Sequence, residues 1–560
     1  ANVGSFYSWA TLNYATLSGL NSANSTISTF QANVGSFYTW ANANYATLAN
    51  TGSLQKGIKS QQDVEKILSR GVVCPDGKTR KYYIDYNGDF DGVELVSHDY
   101  YEHADYGDNG EDVDGRTGKP FSAYDHIEYS DDQHKVKNQV FAVRYRLEPK
   151  EGDLEKYKKG ELVEPKKPIV YYIDPATPKK WVPYLIAGVN DWNVAFEKAG
   201  WKNAIQGKEW PNDSTMSLED ARFSVIRYFA SDIENAYGPQ VHDPRSGEIL
   251  ESHIGWYHNV MSLVHDWYMI QTAAVDSNAR KMKFDDDLMG NLIRFVSSHE
   301  VGHTLGLRHN MGSSSKTPVE KLRDKKWVEA NGHTASIMDY ARFNYVAQPE
   351  DNISQSGLFP RIGDYDKWAI EWGYGYGADK EEDDKKQRNK LYNERLAKNP
   401  RIWFGTYEYG NLSDPRTQSE DLGDNSMKAS EYGVKNLKRI VAKLPEWTKE
   451  EADKYENLRD MYNALVQQFG RYMGHVLKNV GGVYESPKSV EQAGENVYEP
   501  VPKLIQEQAV SFLNSNLFET PTWLMDKDIL NKINNPVAPE AVNFLQVNIL
   551  KSLLSGGRMN

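Results

Sequence analysis

Apolar residues recur along this chain with periods that change from region to region. Over residues 1–55, Val3, Phe6, Ala10, Leu17, Leu20 and Ile27 fall on a 3-4 spacing, with Asn13 and Asn24 filling the gaps. The spacing restarts at Phe30, Val34, Phe37, Ala41 and Leu48, and ANVGSFYSWATLNYATL from Ala1 returns as ANVGSFYTWANANYATL from Ala32. A seam of that period suits a coiled coil, and the shift of 31 residues is four heptads plus three, a stammer. A flexible polar leader is the other reading of such biased composition. Residues 56–167 are acidic and turn-rich, with one alternating stretch, Asn138 to Arg146, that predicts a strand.

Residues 168–375 mix both periods. Strands are predicted at Pro168 to Asp174, Arg222 to Phe229 and Ser252 to His258, with a hairpin-like turn at His242 to Leu250. A helix is predicted to open at Thr177-Pro178 and run through Trp192 and Phe196 to Gly200. Another spans Asp285 to Leu305, with Leu288, Leu292, Phe295, Val296 and Val301 on overlapping faces, Asp285 and Asp286 as caps and Gly306 as its stop. Residues 376–560 read as mostly helical. In the clearest helix Thr448 and Glu451 form a capping box, and Tyr455, Leu458, Tyr462, Leu465, Phe469, Tyr472 and Val476 then step by three and four until Gly481. Further helices are expected at 432–444, 502–517 and 539–554. The whole reads as an α+β region followed by a helical extension.

Composition narrows the functions open to it. The 560 residues exceed one ordinary core, so about three or four domains are expected. The formal net charge of −13 argues against nucleic acid or anionic lipid as a main partner. Cys74 is the one cysteine, which excludes an intrachain disulfide and a cysteine-rich zinc site. No apolar run approaches the roughly 18 residues of a membrane span. Ala1 opens the chain without an initiator Met or a signal pattern, so either a signal was removed or this is a fragment.

The chemistry lies in His299-Glu300-Val-Gly-His303-Thr-Leu-Gly306-Leu-Arg-His309. Residues four apart on a helix share a face, so His299 and His303 can bind one metal. Gly306 can take the positive φ that turns the chain out of the helix, and the chain then delivers His309 as a third ligand. Three neutral nitrogens leave a fourth tetrahedral position open for water, as a catalytic zinc site requires. Glu300 is expected to be the general base and not a ligand. A pattern of this length arises by accident in roughly one chain in ten thousand.

A second element, Ser336-Ile-Met338-Asp-Tyr340, lies downstream. With it the sequence resembles the metzincin clan, whose extended zinc motif is followed by a Met-turn. The resemblance implies an α+β catalytic domain with a twisted mixed sheet and an active-site helix. It also implies that Met338 forms an apolar floor under the metal and that Tyr340 stabilises the oxyanion; packing beside the Met-turn is the plainer role for Tyr340. The segments KKPIVYYIDPATPKKWVPYLIAGVNDWNVAFEKAGW, ENAYGPQVHDPRSGEILESHIGWYHNVM, RFVSSHEVGHTLGLRHNMGSS and SIMDYARFNYVAQPED, with DPRTQSEDLGDNSMKASEYGVKNLKRI and YENLRDMYNALVQQFGRYMGHV beyond them, resemble a group of large secreted bacterial metzincins. Their catalytic domains are matrix-metalloprotease-like. The likeness runs from about residue 140 to 555. Residues 1–55 resemble the repeats of phage tail-fibre proteins instead.

These features imply a zinc endopeptidase with one catalytic zinc, a protein or peptide substrate and a secreted or periplasmic location, with catalytic residues drawn from 168–375. By the resemblance, substrate pairs with an edge strand, for which Ser252 to His258 is the candidate, above a floor running from Lys283 to His309. One alternative is a noncatalytic binding or virion protein in which the N-terminal repeats give the main role, and another is a zinc hydrolase acting on something other than peptides; residues 1–55 are the candidate surface for a homo-oligomer. Calcium is a further candidate cofactor: Asn87, Asp89, Asp91 and Gly92 fit the start of an EF-hand loop, yet position 12 is His98 in place of Glu, which favours a solvated turn. His242, His253, His258 and His265, with Asp243, lie where matrix metalloproteases hold a structural zinc, but their spacing does not match and they read as ordinary strand and loop histidines.

Overall fold

The computed structural model describes residues 143–244, 246–376, 381–408, 412–488, 496–533 and 537–555, together with the strands Val72–Val73, Thr79–Arg80, Tyr82–Asp85, Glu94–Ser97, Ala123–Glu128 and Lys137–Ala142. The expectations for residues 1–55 and for Asn87, Asp89, Asp91, Gly92 and His98 lie outside them. The chain divides into two compact units, Ala1–Asp108 and Asn109–Asn560. In the first, Val72–Val73 pairs with Thr79–Arg80 and Tyr82–Asp85 with Glu94–Ser97, both antiparallel.

In the second, Ala123–Glu128 and Lys137–Ala142 form an antiparallel pair. The strand expected to reach Arg146 stops at Ala142, because Arg144 leaves the hairpin to bridge the 247–249 turn through Arg144 N to Gly247 O (3.0 Å) and Ile249 N to Arg144 O (2.9 Å).

A five-stranded sheet organises the region from Ile169 to Tyr257. Its strands are β1 (Ile169–Ile173), β2 (Ile205–Glu209), β3 (Ser224–Phe229), β4 (Ala236–Tyr237) and β5 (His253–Tyr257), in the order β4-β5-β3-β1-β2. β5, β3, β1 and β2 run parallel, and β4 joins β5 antiparallel with Ala236 opposite Trp256. The strand expected at the sheet edge, Ser252 to His258, is therefore internal. Two residues, Ala236 and Tyr237, cover it, too short a run to read as a strand from sequence.

α1 (Val182–Asn190) packs on β1 and β2, α4 (Asp286–Thr304) on β4 and β5, and the two helices pack on each other. Ile169, Tyr171 and Ile173 alternate as buried residues of β1, and the Tyr171 hydroxyl reaches across to donate to Thr304 Oγ1 at 2.7 Å. The helix predicted through Phe196 to Gly200 breaks at Asp191–Trp192 and restarts as α2 (Asn193–Lys198). Flanking asparagines explain the break: Asn190 Oδ1 accepts from Gly207 N (2.9 Å) and Asn193 Nδ2 donates to Ile205 O (2.9 Å), so polar side chains tie both helix ends to β2. Trp192, turned inward there, donates its indole N–H to Ser298 O (2.8 Å) on α4.

α3 (Val260–Thr272) packs against α4 and also against the helical part, α6 (Ser426–Val441) and α7 (Glu456–Leu477); α5 (Asp364–Tyr374) packs on α2. α8 (Lys503–Leu513) and α9 (Val537–Leu553) lie against α7, and the expected helices at 432–444, 502–517 and 539–554 correspond to α6, α8 with the π-turn Asn514–Phe518, and α9. In α7 the stripe Leu458, Tyr462, Leu465, Phe469, Tyr472 and Val476 is buried as its spacing predicts. The capping box is not formed. Thr448 Oγ1 donates to Leu444 O (2.8 Å) and closes the preceding turn, and α7 starts at Glu456 after Tyr455, whose φ is +63°. Among the described residues no helix is long and apolar enough to cross a membrane.

The α1–α4 contact is close enough to test. A Cβ at Gly188 would lie 2.6 Å from Ser297 Cβ and 2.8 Å from Arg294 O. Gly188→Ala is expected to cost about 1–3 kcal/mol by overpacking, read as a lower urea midpoint; an unchanged midpoint would show that the two helices part freely.

Candidate metal centre

The metal motif folds as its spacing dictates. α4 carries His299, Glu300 and His303, and Gly306 comes next with φ +91°. Leu305 N, Gly306 N and Leu307 N close the last turn on Val301, His303 and Gly302 carbonyls, and the chain turns back to bring His309 under the helix. His309 Nε2 lies 3.3 Å from His299 Nε2 and 3.0 Å from His303 Nε2. Two nitrogens bound to one tetrahedral zinc at ~2.0–2.1 Å are ~3.3–3.4 Å apart, so the three rings are set close to zinc spacing. Among the described residues these three are the one group of three or more His, Cys, Asp or Glu side chains that converges in this way.

The second nitrogen of each ring fixes its protonation. His299 Nδ1 donates to Ile337 O (2.8 Å), His303 Nδ1 to Leu307 O (3.0 Å) and His309 Nδ1 to Glu408 Oε1 (2.7 Å). Two acceptors are backbone carbonyls and the third is a carboxylate oxygen, so in the neutral form of each ring the proton sits on Nδ1 and Nε2 presents a lone pair. One proton can bridge two such lone pairs but not three; a cation satisfies all of them. Burial holds His299 far below its ordinary range and His303 down to about 3, which keeps both rings in the neutral, ligating form at neutral pH.

Glu300 is buried beside His299 and takes no hydrogen bond from the protein among the described residues. Burial pushes its carboxyl up to about 8, and the Arg342 charge opposes the shift. Tyr340 stacks over the centre, its ring 4.2 Å from that of His309 and 5.3 Å from that of His299. Burial raises its phenol, and its hydroxyl has no protein partner among the described residues. Arg342 holds Tyr340 from behind: its guanidinium carbon lies 4.3 Å from the Tyr340 ring centre and 3.6 Å from that of Trp267, with Glu420 at 3.9 Å.

Met338 is fully buried with its sulfur against Gly302, where a Cβ would collide with it. The Met-turn is held by buried hydrogen bonds. Asp366 accepts from Ser336 Oγ (2.6 Å), Ile337 N (2.8 Å) and Gly363 N (2.7 Å), and Asn310 N donates to Met338 O (2.9 Å). Glu420 N donates to Tyr340 O (2.7 Å). Asp366 and Glu408 had no signal in the sequence, because each lies outside any motif and acts across a distance in the chain; Arg342 and Glu420 fall in segments that carry the family resemblance, but nothing in those segments marks their roles.

The other histidines have local partners. His258 Nδ1 pairs with the Tyr228 hydroxyl (2.5 Å), His265 with Asp266 (2.9 Å) and Lys281 O (3.1 Å), and His253 lies 3.5 Å from Glu251. They do not gather into a second metal group with His242.

Asp366→Ala strands three buried donors around the Met-turn. At about 1–3 kcal/mol for each, the loss should be at least about 3 kcal/mol in urea unfolding. A change below about 1 kcal/mol would mean that water replaces the carboxylate.

Comparison with curated proteins and with solved structures returned no match. A family model described as Met-zincin matches residues 281–560, half of the 560-residue chain, from just before α4 through the helical extension. That match and the convergent histidines agree on a metalloprotease-type domain with a centre able to hold a metal, and the chain belongs to the Met-zincin family.

Proposed function

We propose that this chain is a zinc endopeptidase that hydrolyses peptide bonds of protein or peptide substrates at the centre formed by His299, His303 and His309. The observation that carries this reading is the set of three Nε2 atoms at zinc spacing, with the buried Glu300 following His299 on the helix that carries two of them. A zinc ion held there would supply Lewis acidity, which polarises a scissile carbonyl and acidifies water. Glu300 takes the proton of the attacking water and passes it to the leaving amine. Burial raises its carboxyl toward the working pH, which suits a group that takes a proton in one step and gives it up in the next. The Tyr340 hydroxyl, unclaimed by other protein groups among the described residues, donates to the oxyanion as charge develops.

The substrate backbone pairs with β4, the edge strand of the sheet that borders α4, in place of the expected Ser252 to His258. Gly238, just past β4, supports that placement: a Cβ there would lie 2.5 Å from Glu300 O, so the sheet edge runs directly against the metal helix. The likeness to secreted bacterial metzincins supports a working compartment outside the cytosol, with residues 168–375 carrying the chemistry.

Glu300→Gln should keep one zinc per chain and lose about a hundred- to ten-thousandfold in turnover. Casein cleavage by the wild type should stop on chelation and return with zinc. Cleavage that survives both treatments would refute the assignment, and absent cleavage by a zinc-loaded wild type would favour a noncatalytic binding role. Tyr340→Phe should lower kcat by up to about a hundredfold with KM nearly unchanged, the mark of a contact made in the transition state; an unchanged kcat would leave Tyr340 a packing residue.

A further inference from the structure

His309 differs from the other two ligands in how it is held. His299 and His303 sit on α4, and their Nδ1 atoms donate to backbone carbonyls. His309 sits on the loop beyond Gly306, where no helix orients its ring, and its Nδ1 donates to a side chain, the Glu408 carboxylate, at 2.7 Å. Glu408 belongs to the extension, 99 residues farther along the chain. Its placement is built in. Asn310, the residue after His309, is fully buried; its Oδ1 accepts from Gly405 N (2.9 Å) and its Nδ2 donates to Trp403 O (2.9 Å). Gly312 N donates to Gly405 O (2.7 Å), and Gly312 packs so tightly on the Trp403 ring that a Cβ would collide with it. The stretch from Trp403 to Gly405 is thus stapled to the loop just after His309, three residues before Glu408.

We propose that Glu408 is a positioning residue for the third metal ligand, so that the C-terminal extension is an integral part of the metal centre. This rests on the reading of the three histidines as zinc ligands. The carboxylate keeps the proton on His309 Nδ1, fixes the ring plane and, by its negative charge, makes Nε2 a stronger donor to a cation. A backbone carbonyl, as used for His299 and His303, does the first two with less of the third.

The test uses the full chain as wild type, Glu408→Gln and Glu408→Ala, with zinc affinity measured by competition against a chromogenic chelator. Glu408→Ala should weaken zinc binding by about ten- to a hundredfold. Glu408→Gln should fall between, because its amide oxygen still accepts from Nδ1–H but carries no charge. The urea midpoints of the zinc-free proteins should coincide, since the Glu408 side chain is 27% exposed and its partner is one loop histidine. In a His309→Ala background, Glu408→Ala should add no further loss, since the two act through one contact. A Glu408→Ala protein that binds zinc as tightly as a zinc-binding wild type overturns the proposal and leaves the zinc reading standing. So does full additivity with His309→Ala, or a zinc-free stability that falls with the affinity. A wild type that binds no zinc overturns both.

Discussion

Three imidazole nitrogens with their lone pairs turned on one another, 3.0 and 3.3 Å apart, are a repulsive arrangement until a cation lies among them. The rest of the region around α4 can be understood as the scaffold that holds this arrangement. Each ring is locked by its other nitrogen, and the three acceptors come from three places: Leu307 in the turn that ends α4, Ile337 in the Met-turn and Glu408 in the extension. Each acceptor is needed because an imidazole has two tautomers, and in one of them Nε2 carries a proton and cannot bind the metal.

That requirement explains why the polar interior around residues 310–340 is so crowded. Holding Ile337 O and Met338 in place means fixing a turn that no helix or strand supports, so buried side chains do the work of secondary structure. Asp366 gathers three donors, Asn310 grips both the Met-turn and the 403–405 stretch, and Glu420 reaches Tyr340 through its backbone. Satisfied networks of this kind rigidify a core, and each missing partner would cost a full desolvation penalty. Arg342, sandwiched between Trp267 and Tyr340 with Glu420 at 3.9 Å, places a positive charge behind the tyrosine and moderates the raised pKa of Glu300. Preorganised dipoles and charges around a reacting carbonyl are what a hydrolytic site uses.

Much of this was legible in the chain. Local physics places α4, its two histidines and the turn at Gly306, because a 3.6-residue period and a positive-φ glycine act within a few residues. The stripe of α7 and the strand Ile169–Ile173 were legible for the same reason. Predictions failed where a competing hydrogen bond or a covering strand outweighed the expected preference. Thr448 looked like a helix cap and instead bonds back to Leu444 O; the long helix after Thr177 breaks because Asn190 and Asn193 prefer β2; and a strand that seemed to be an edge is covered by Ala236 and Tyr237.

Residue order alone was enough to say which atoms can bind the metal and roughly where they face, since His299, Glu300, His303, Gly306 and His309 are spaced by the geometry of one helix and one turn. Which groups hold those atoms still, and which strand lies at the sheet edge beside α4, depended on the folded chain. Ile337, Glu408 and Asp366 lie 38, 99 and up to 30 residues from the groups they bind. A hydrogen bond across such a separation leaves no periodicity to read, because it depends on where two surfaces meet after the sheet, α4 and the extension have packed.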